Sequence, residues 1–409
     1  MNMRFHPNTL IAALAVAYLA ACGSSGSGSD STPPPTGSAP QPTSITKPTT
    51  VNLYPSESTT DTARLRVIVT SVGTANVNMV LGFDTGSAGV TLWAQSIFPA
   101  SMVSSTGFVF PAGQTSMTYN GITVTNLQGT RSYGTDNSTV EHGNLGFAQL
   151  TFGDASGTIT TQVMPIFLFY VNDEGTNNND IVPDASWQGW FGVASTNQTI
   201  EVAGSTAPAG GFGGCATDST VTCSLVSAMK YIDYGSQVNA GFLLSPAPLQ
   251  TCEITTAGSC QPQPMLTVGL DASVESGFST TPLVCPPNGY TGPASIAGYP
   301  VCQKSVQVTV TASGADAGSY TGYAVFDTGT PDFYLSTPSD SVLATGLDPG
   351  STVTIATLSG FNYAYTADET TATNTQIDLG GNSASIIGIQ YFTTNSFLLD
   401  FTAGIVGWK

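Results

Sequence analysis

The chain has 409 residues but only 8 Lys+Arg against 26 Asp+Glu, a formal net charge of −18. Charged residues make up 8% of it, where a soluble domain ordinarily carries about 25%. With no basic cluster, that balance excludes a nucleic-acid backbone or an anionic membrane surface as partner. The only histidines are His6, in the leader segment read below as removed, and His142, so a multi-histidine metal site within one chain is excluded as well.

In chain order, residues 1–21 carry one charge, Arg4, followed by an apolar run from Leu10 to Ala21. This is the pattern of a secretory signal peptide, and the run is short for a spanning helix, which needs about 20 apolar residues. Leu19-Ala20-Ala21-Cys22 resembles the lipobox of bacterial lipoproteins. That resemblance implies lipidation of Cys22, export to the cell envelope and, with Gly23 next, the outer membrane of a Gram-negative cell. Residues 22–62 are dominated by Ser, Gly, Pro and Thr and are predicted to be a disordered tether. Losing the signal leaves seven cations and a net charge of −19.

From Ala63 onward the reading is mostly β. Arg64–Thr70 and Val77–Phe83 alternate in polarity, and similar short runs recur at Val306–Thr311, Ala324–Phe326, Thr352–Ile355 and Ser396–Phe401. The best helical candidate is Ser224–Tyr234. Six cysteines remain after Cys22: Cys215, Cys223, Cys252, Cys260, Cys285 and Cys302. Six allow fifteen connectivities. Their spacing favours three local loops, 215–223, 252–260 and 285–302, formed in an oxidising compartment.

The informative feature is an internal echo. Met79–Ser87 is an apolar strand running through Phe83 into Asp84-Thr85-Gly86-Ser87, and Gly322–Thr330 runs through Phe326 into Asp327-Thr328-Gly329-Thr330. Two carboxyls facing each other about 3 Å apart cannot both ionise and share a proton. One can then take a proton from water while the other donates to a carbonyl. Gly86 and Gly329 allow tight turns, Ser87 and Thr330 can donate hydroxyl hydrogen bonds to the outer oxygens, and Thr85 and Thr328 are placed to brace one loop against the other.

These segments resemble the pepsin-like aspartic peptidases, which have two β lobes with a cleft between them and one Asp-Thr-Gly per lobe. The resemblance covers about residues 63–409. Leu92-Trp93 is similar to the family's first active-site loop and the tryptophan behind it. Ser132-Tyr133-Gly134-Thr135 is similar to the tip of the β-hairpin flap, whose tyrosine closes over substrate and pairs with that tryptophan. Trp190-Phe191-Gly192 and Ile386-Ile387-Gly388 resemble the segments that support the catalytic loops, while Leu266–Asp271 and Tyr391–Trp408 read like the second lobe and the C-terminal strand. Three departures stand out: Trp93 lies two residues further from Asp84 than usual, Asp136 stands where a flap has Gly, and Pro331-Asp332 follows Thr330. The resemblance implies a monomeric endopeptidase, with lobes at 63–240 and 241–409, catalytic Asp84 and Asp327, and flap and substrate contacts from Tyr133, Gly134 and Trp93. Its partner would be a peptide or protein substrate, and it would need no metal and no cofactor. The competing reading is an inactive lipoprotein that binds peptides, proteins or glycans in the same cleft.

Overall fold

The computed structural model describes residues 39–409 apart from 58–62, 134–138, 175–178, 181–182, 184–185, 203–214, 217–220, 253–259, 291, 315–316, 339–346, 368–374 and 380–383. The predicted signal peptide, Cys22, Gly134 and Asp136 lie outside these residues. Among the described residues 58% are strand and 5% helix, so the fold is mostly β. Its strands form three principal sheet regions.

The first is built from Arg64–Val72, Ala75–Asp84 and most of the strands that follow as far as Val221–Val226. The second is a seven-stranded sheet in the order 362–366, 352–357, 306–313, 318–326, 385–387, 333–337, 375–379. Between them in chain composition lies a shared antiparallel sheet ordered 279–282, 405–408, 397–400, 239–244, 263–270, 49–57. Its aromatic side chains lie beneath both Asp-Thr-Gly loops. Phe83 packs on Phe242 with ring centres 6.0 Å apart, and Phe326 packs on Trp408 at 5.4 Å and on Tyr391, from the 3₁₀ turn Ile389–Thr393, at 4.8 Å.

This arrangement corrects three expectations. Residues 49–57, assigned to the disordered tether, form a strand that pairs with Gln263–Leu270 and with Arg64–Val72. Val51 and Leu53 are buried there, and this burial offsets the ordering cost that a polar-looking segment could not meet alone. The 240/241 boundary between lobes falls inside the strand Asn239–Leu244 of the shared sheet. All of Ser38–Lys409 forms one compact unit. Finally, Ser224–Tyr234 is not an α-helix: it continues the strand Val221–Val226, and only Ala228–Tyr231 turns as a 3₁₀-helix, capped by the Ser227 hydroxyl. Its Lys230 is buried and donates to the carbonyls of Ser195 (3.1 Å) and Pro300 (2.7 Å), tying together segments a hundred residues apart.

Cys252–Cys260 and Cys285–Cys302 are disulfides, which fits folding in an oxidising compartment. Cys215 stands opposite Cys223 in a paired strand, but the side chains of that pair lie outside the described ones. No helix among the described residues is long and apolar enough to cross a membrane.

A chain begun at residue 63 would lose the 49–57 strand and leave the edge of Gln263–Leu270 unpaired. It is expected to lack a cooperative thermal transition, whereas a chain begun at residue 39 should melt like the full chain; circular dichroism melts of the two distinguish them.

Candidate active site

Two hairpins deliver the two aspartates. Ala75–Asp84 pairs with Arg64–Val72 and ends in Asp84; Gly318–Phe326 pairs with Val306–Ser313 and ends just before Asp327. Each loop is backed in the same way. Trp190–Gly192 runs parallel to Gly82–Asp84, and the same segment is antiparallel to the outgoing strand Ala88–Trp93. In the second half, Ser385–Ile387 runs parallel to Ala324–Phe326, and the Asp327 amide donates to the Ile387 carbonyl at 2.9 Å. Only a glycine fits after each apolar pair: a Cβ on Gly192 would lie 2.8 Å from the Gly89 carbonyl oxygen, and one on Gly388 2.7 Å from that of Thr330.

The two loops are locked together by their threonines. The Thr85 hydroxyl donates to the Phe326 carbonyl at 2.7 Å and accepts from the Thr328 amide at 3.0 Å. The Thr328 hydroxyl donates to the Phe83 carbonyl at 2.6 Å and accepts from the Thr85 amide at 3.1 Å. Both threonines are buried, so each hydroxyl satisfies a donor and an acceptor that water cannot reach.

This lock sets the carboxyls face to face. A Cβ on Gly86 would collide with the Asp327 carboxyl, and one on Gly329 would lie 2.8 Å from Cγ of Asp84. The outer contacts repeat across the pair. Asp84 accepts from the amides of Gly86 (2.7 Å) and Ser87 (3.2 Å) and from the Ser87 hydroxyl. Asp327 accepts from the Gly329 amide (2.7 Å) and the Thr330 hydroxyl (2.8 Å). Burial pushes the Asp327 carboxyl up to about 7, helped by the charge of Asp84 and a hydrogen bond with it, and opposed by Lys304 and the Thr330 hydroxyl. Such a pair holds one proton over a wide range of pH.

Tyr133 ends the strand Ile122–Tyr133, which pairs with Thr139–Ala148 with Tyr133 opposite Thr139, so a β-hairpin stands at the predicted place. The expected Tyr133–Trp93 pairing is not formed. Tyr133 lies against Trp190 at 5.6 Å between ring centres, while Trp93 is buried against Phe169 at 5.3 Å. The cause is a polar group that the sequence reading passed over. Buried Glu141 stands directly opposite Arg131 in the hairpin and accepts from the Tyr133 hydroxyl (3.0 Å) and the Thr91 hydroxyl (3.1 Å). The Arg131 guanidinium lies 4.5 Å over the Tyr133 ring. Burial pushes Glu141 up to about 7, against the Arg131 charge and the two hydroxyl hydrogen bonds. The register of the hairpin, with Arg131 and Glu141 ten residues apart, was the available signal.

No protein-family model and no curated protein matches this chain. Among solved structures it is similar to the aspartic proteinase from Irpex lacteus, at 15% identity and a TM-score of 0.51, covering 88% of this chain and 97% of that one. The fold is that of a pepsin-like aspartic proteinase, mostly β and bilobal. No group of His, Cys, Asp or Glu among the described residues is arranged to hold a metal ion.

Both raised carboxyls carry a stability signature. Asp327 and Glu141 have ordinary values of 3.8 and 4.5 and folded values of about 7. Between these limits the folded chain binds more protons than the unfolded one, so stability is full in acid and is lost as pH rises through about 7. Urea midpoints should fall over that window. Glu141→Gln should flatten part of the fall, of order 1–3 kcal/mol, by removing one of the two titrating groups.

Proposed function

We propose that this chain is an aspartic-type endopeptidase whose two catalytic groups are Asp84 and Asp327. The observation that carries the proposal is the reciprocal threonine lock, which holds two carboxyls face to face, each accepting from its loop's glycine amide and from a Ser or Thr hydroxyl. In the proposed reaction a water between the carboxyls is deprotonated by the ionised aspartate and attacks a peptide carbonyl. The protonated partner donates to that carbonyl oxygen. The tetrahedral intermediate then collapses as a proton passes to the departing amine, and the pair regains its single proton. No covalent intermediate, metal or cofactor takes part. Ser87 and Thr330 stabilise the outer oxygens of the ionised form. An extended peptide would lie along the site as an added strand, with Tyr133 in the hairpin above it.

The lipobox-like Cys22 supports a lipid-anchored protein of the bacterial cell envelope. The part of the expected tether from Thr43 onward belongs to the fold, where Thr43 exchanges hydrogen bonds with Thr160.

Full chain carrying Cys22→Ser should hydrolyse an unfolded protein from acid to near-neutral pH and lose activity as pH rises through about 7, where Asp327 gives up the shared proton. Asp84→Asn and Asp327→Asn should each cost roughly 10²–10⁴-fold or more in kcat. If wild type is folded yet as inert as the variants at every pH, the binding-only reading takes its place.

A further inference from the structure

Each catalytic loop receives one more contact, from a cation of the opposite half. The Arg64 guanidinium donates to the carbonyl of Gly329, and the Lys304 ammonium donates to the carbonyl of Gly86. The two donors hold corresponding places. Arg64 opens the strand Arg64–Val72, whose partner Ala75–Asp84 delivers Asp84. Lys304 lies two residues before the strand Val306–Ser313, whose partner Gly318–Phe326 delivers Asp327. They stand 20 and 23 residues ahead of their own aspartates, and each crosses to the other loop. The acceptors correspond as well: both are carbonyls of the glycine whose amide donates to the aspartate.

We propose that Arg64 and Lys304 are a two-fold-related pair of positioning residues that cross-brace the catalytic loops through their glycine carbonyls, and that Lys304 also sets the pH range over which the carboxyl pair keeps its proton. The inference rests on the peptidase reading above.

The chain's economy in cations makes the coincidence informative. Of eight Lys and Arg residues, two end on the same backbone atom of two related loops. Three others, Arg66, Arg131 and Lys230, are buried in the frame. The Lys304 contact also reaches the dyad through one peptide group. The carbonyl it binds is Gly86's, and the N–H of that same peptide unit, on Ser87, donates to Asp84. A cation on the carbonyl polarises the unit and strengthens the donor at its other end. Arg64 is fixed in place by Trp190, whose ring lies 4.9 Å beneath its guanidinium and whose neighbours back the first loop. The groups acting on Asp327 are Asp84, which favours its neutral form, and Lys304 with the Thr330 hydroxyl, which favour its ionised form. Lys304 therefore sets the upper edge of the working range: its charge makes the shared proton easier to lose.

The test compares wild type, Lys304→Met and Lys304→Arg in the full chain with Cys22→Ser. It uses ¹³C carboxyl NMR titration of aspartate and the pH profile of kcat/KM on an unfolded protein. Lys304→Met should move the upper apparent pKa of the pair to higher pH by roughly half to one unit, with the basic limb of activity following it. Lys304→Arg, which keeps charge and donor, should restore both. Arg64→Met should lower kcat with KM little changed, and Arg64→Lys should recover it. An unmoved titration in folded Lys304→Met, with hydrolysis intact, overturns this inference and leaves the peptidase reading standing. A moved titration in a chain that hydrolyses nothing upholds the inference and removes that reading.

Discussion

The structure depends on four hydrogen bonds made by two threonines. Thr85 and Thr328 each donate to a carbonyl of the other loop and accept from the other threonine's amide. Removing either hydroxyl would leave a buried N–H and a buried C=O unpaired, at roughly 1–3 kcal/mol for each group. The lock does more than stabilise. Two carboxylates repel, and without a constraint the loops would separate until both were solvated. By fixing the distance, the lock makes partial protonation the lowest-energy answer to the repulsion. The chemistry assigned to the site follows from that single constraint.

Everything around the lock serves to keep it rigid. Phe83 and Phe326, the last residues before the aspartates, are held by aromatic contacts to Phe242 and Trp408 of the shared sheet and to Tyr391. Trp190–Gly192 and Ser385–Ile387 close the loops from behind, with glycines where a side chain would strike backbone. The scarcity of cations, which first served only to exclude partners, takes on a second meaning. Several of those present make contacts that hold the frame: Arg131 opposite Glu141, Lys230 between distant segments, Arg64 and Lys304 on the catalytic loops. With so few permanent positive charges, protonating the carboxylates in acid leaves little self-repulsion.

The site was legible where a physical requirement is written locally. An apolar strand, an aspartate and a glycine turn are contiguous residues, and their repetition 243 positions later signals a two-fold arrangement. The backing segments were legible for the same reason. What the sequence hid depends on pairing between distant residues. The strand Thr49–Glu57 carries too few apolar residues to announce itself, and its partner at Gln263–Leu270 is more than 200 residues away. Ser224–Tyr234 has spacing that suits a helix, but its first three residues are claimed by a sheet neighbour at Asn197–Val202. Tyr133 was found, while its partner was misassigned: a buried carboxylate outcompetes an indole for the phenol, and Glu141 is opposite Arg131 only once the hairpin register is known. Arg64 and Lys304 are single basic residues whose targets belong to the other half of the chain.

The central claim is that the lock forces Asp84 and Asp327 to share one proton. Neutron diffraction from a deuterium-exchanged crystal at mildly acidic pH tests it most directly. The account predicts one deuteron between the facing oxygens of the two carboxyls, with the outer oxygens accepting from Ser87 and Thr330. Two fully ionised carboxylates, or two independently protonated ones held out of contact, would contradict it.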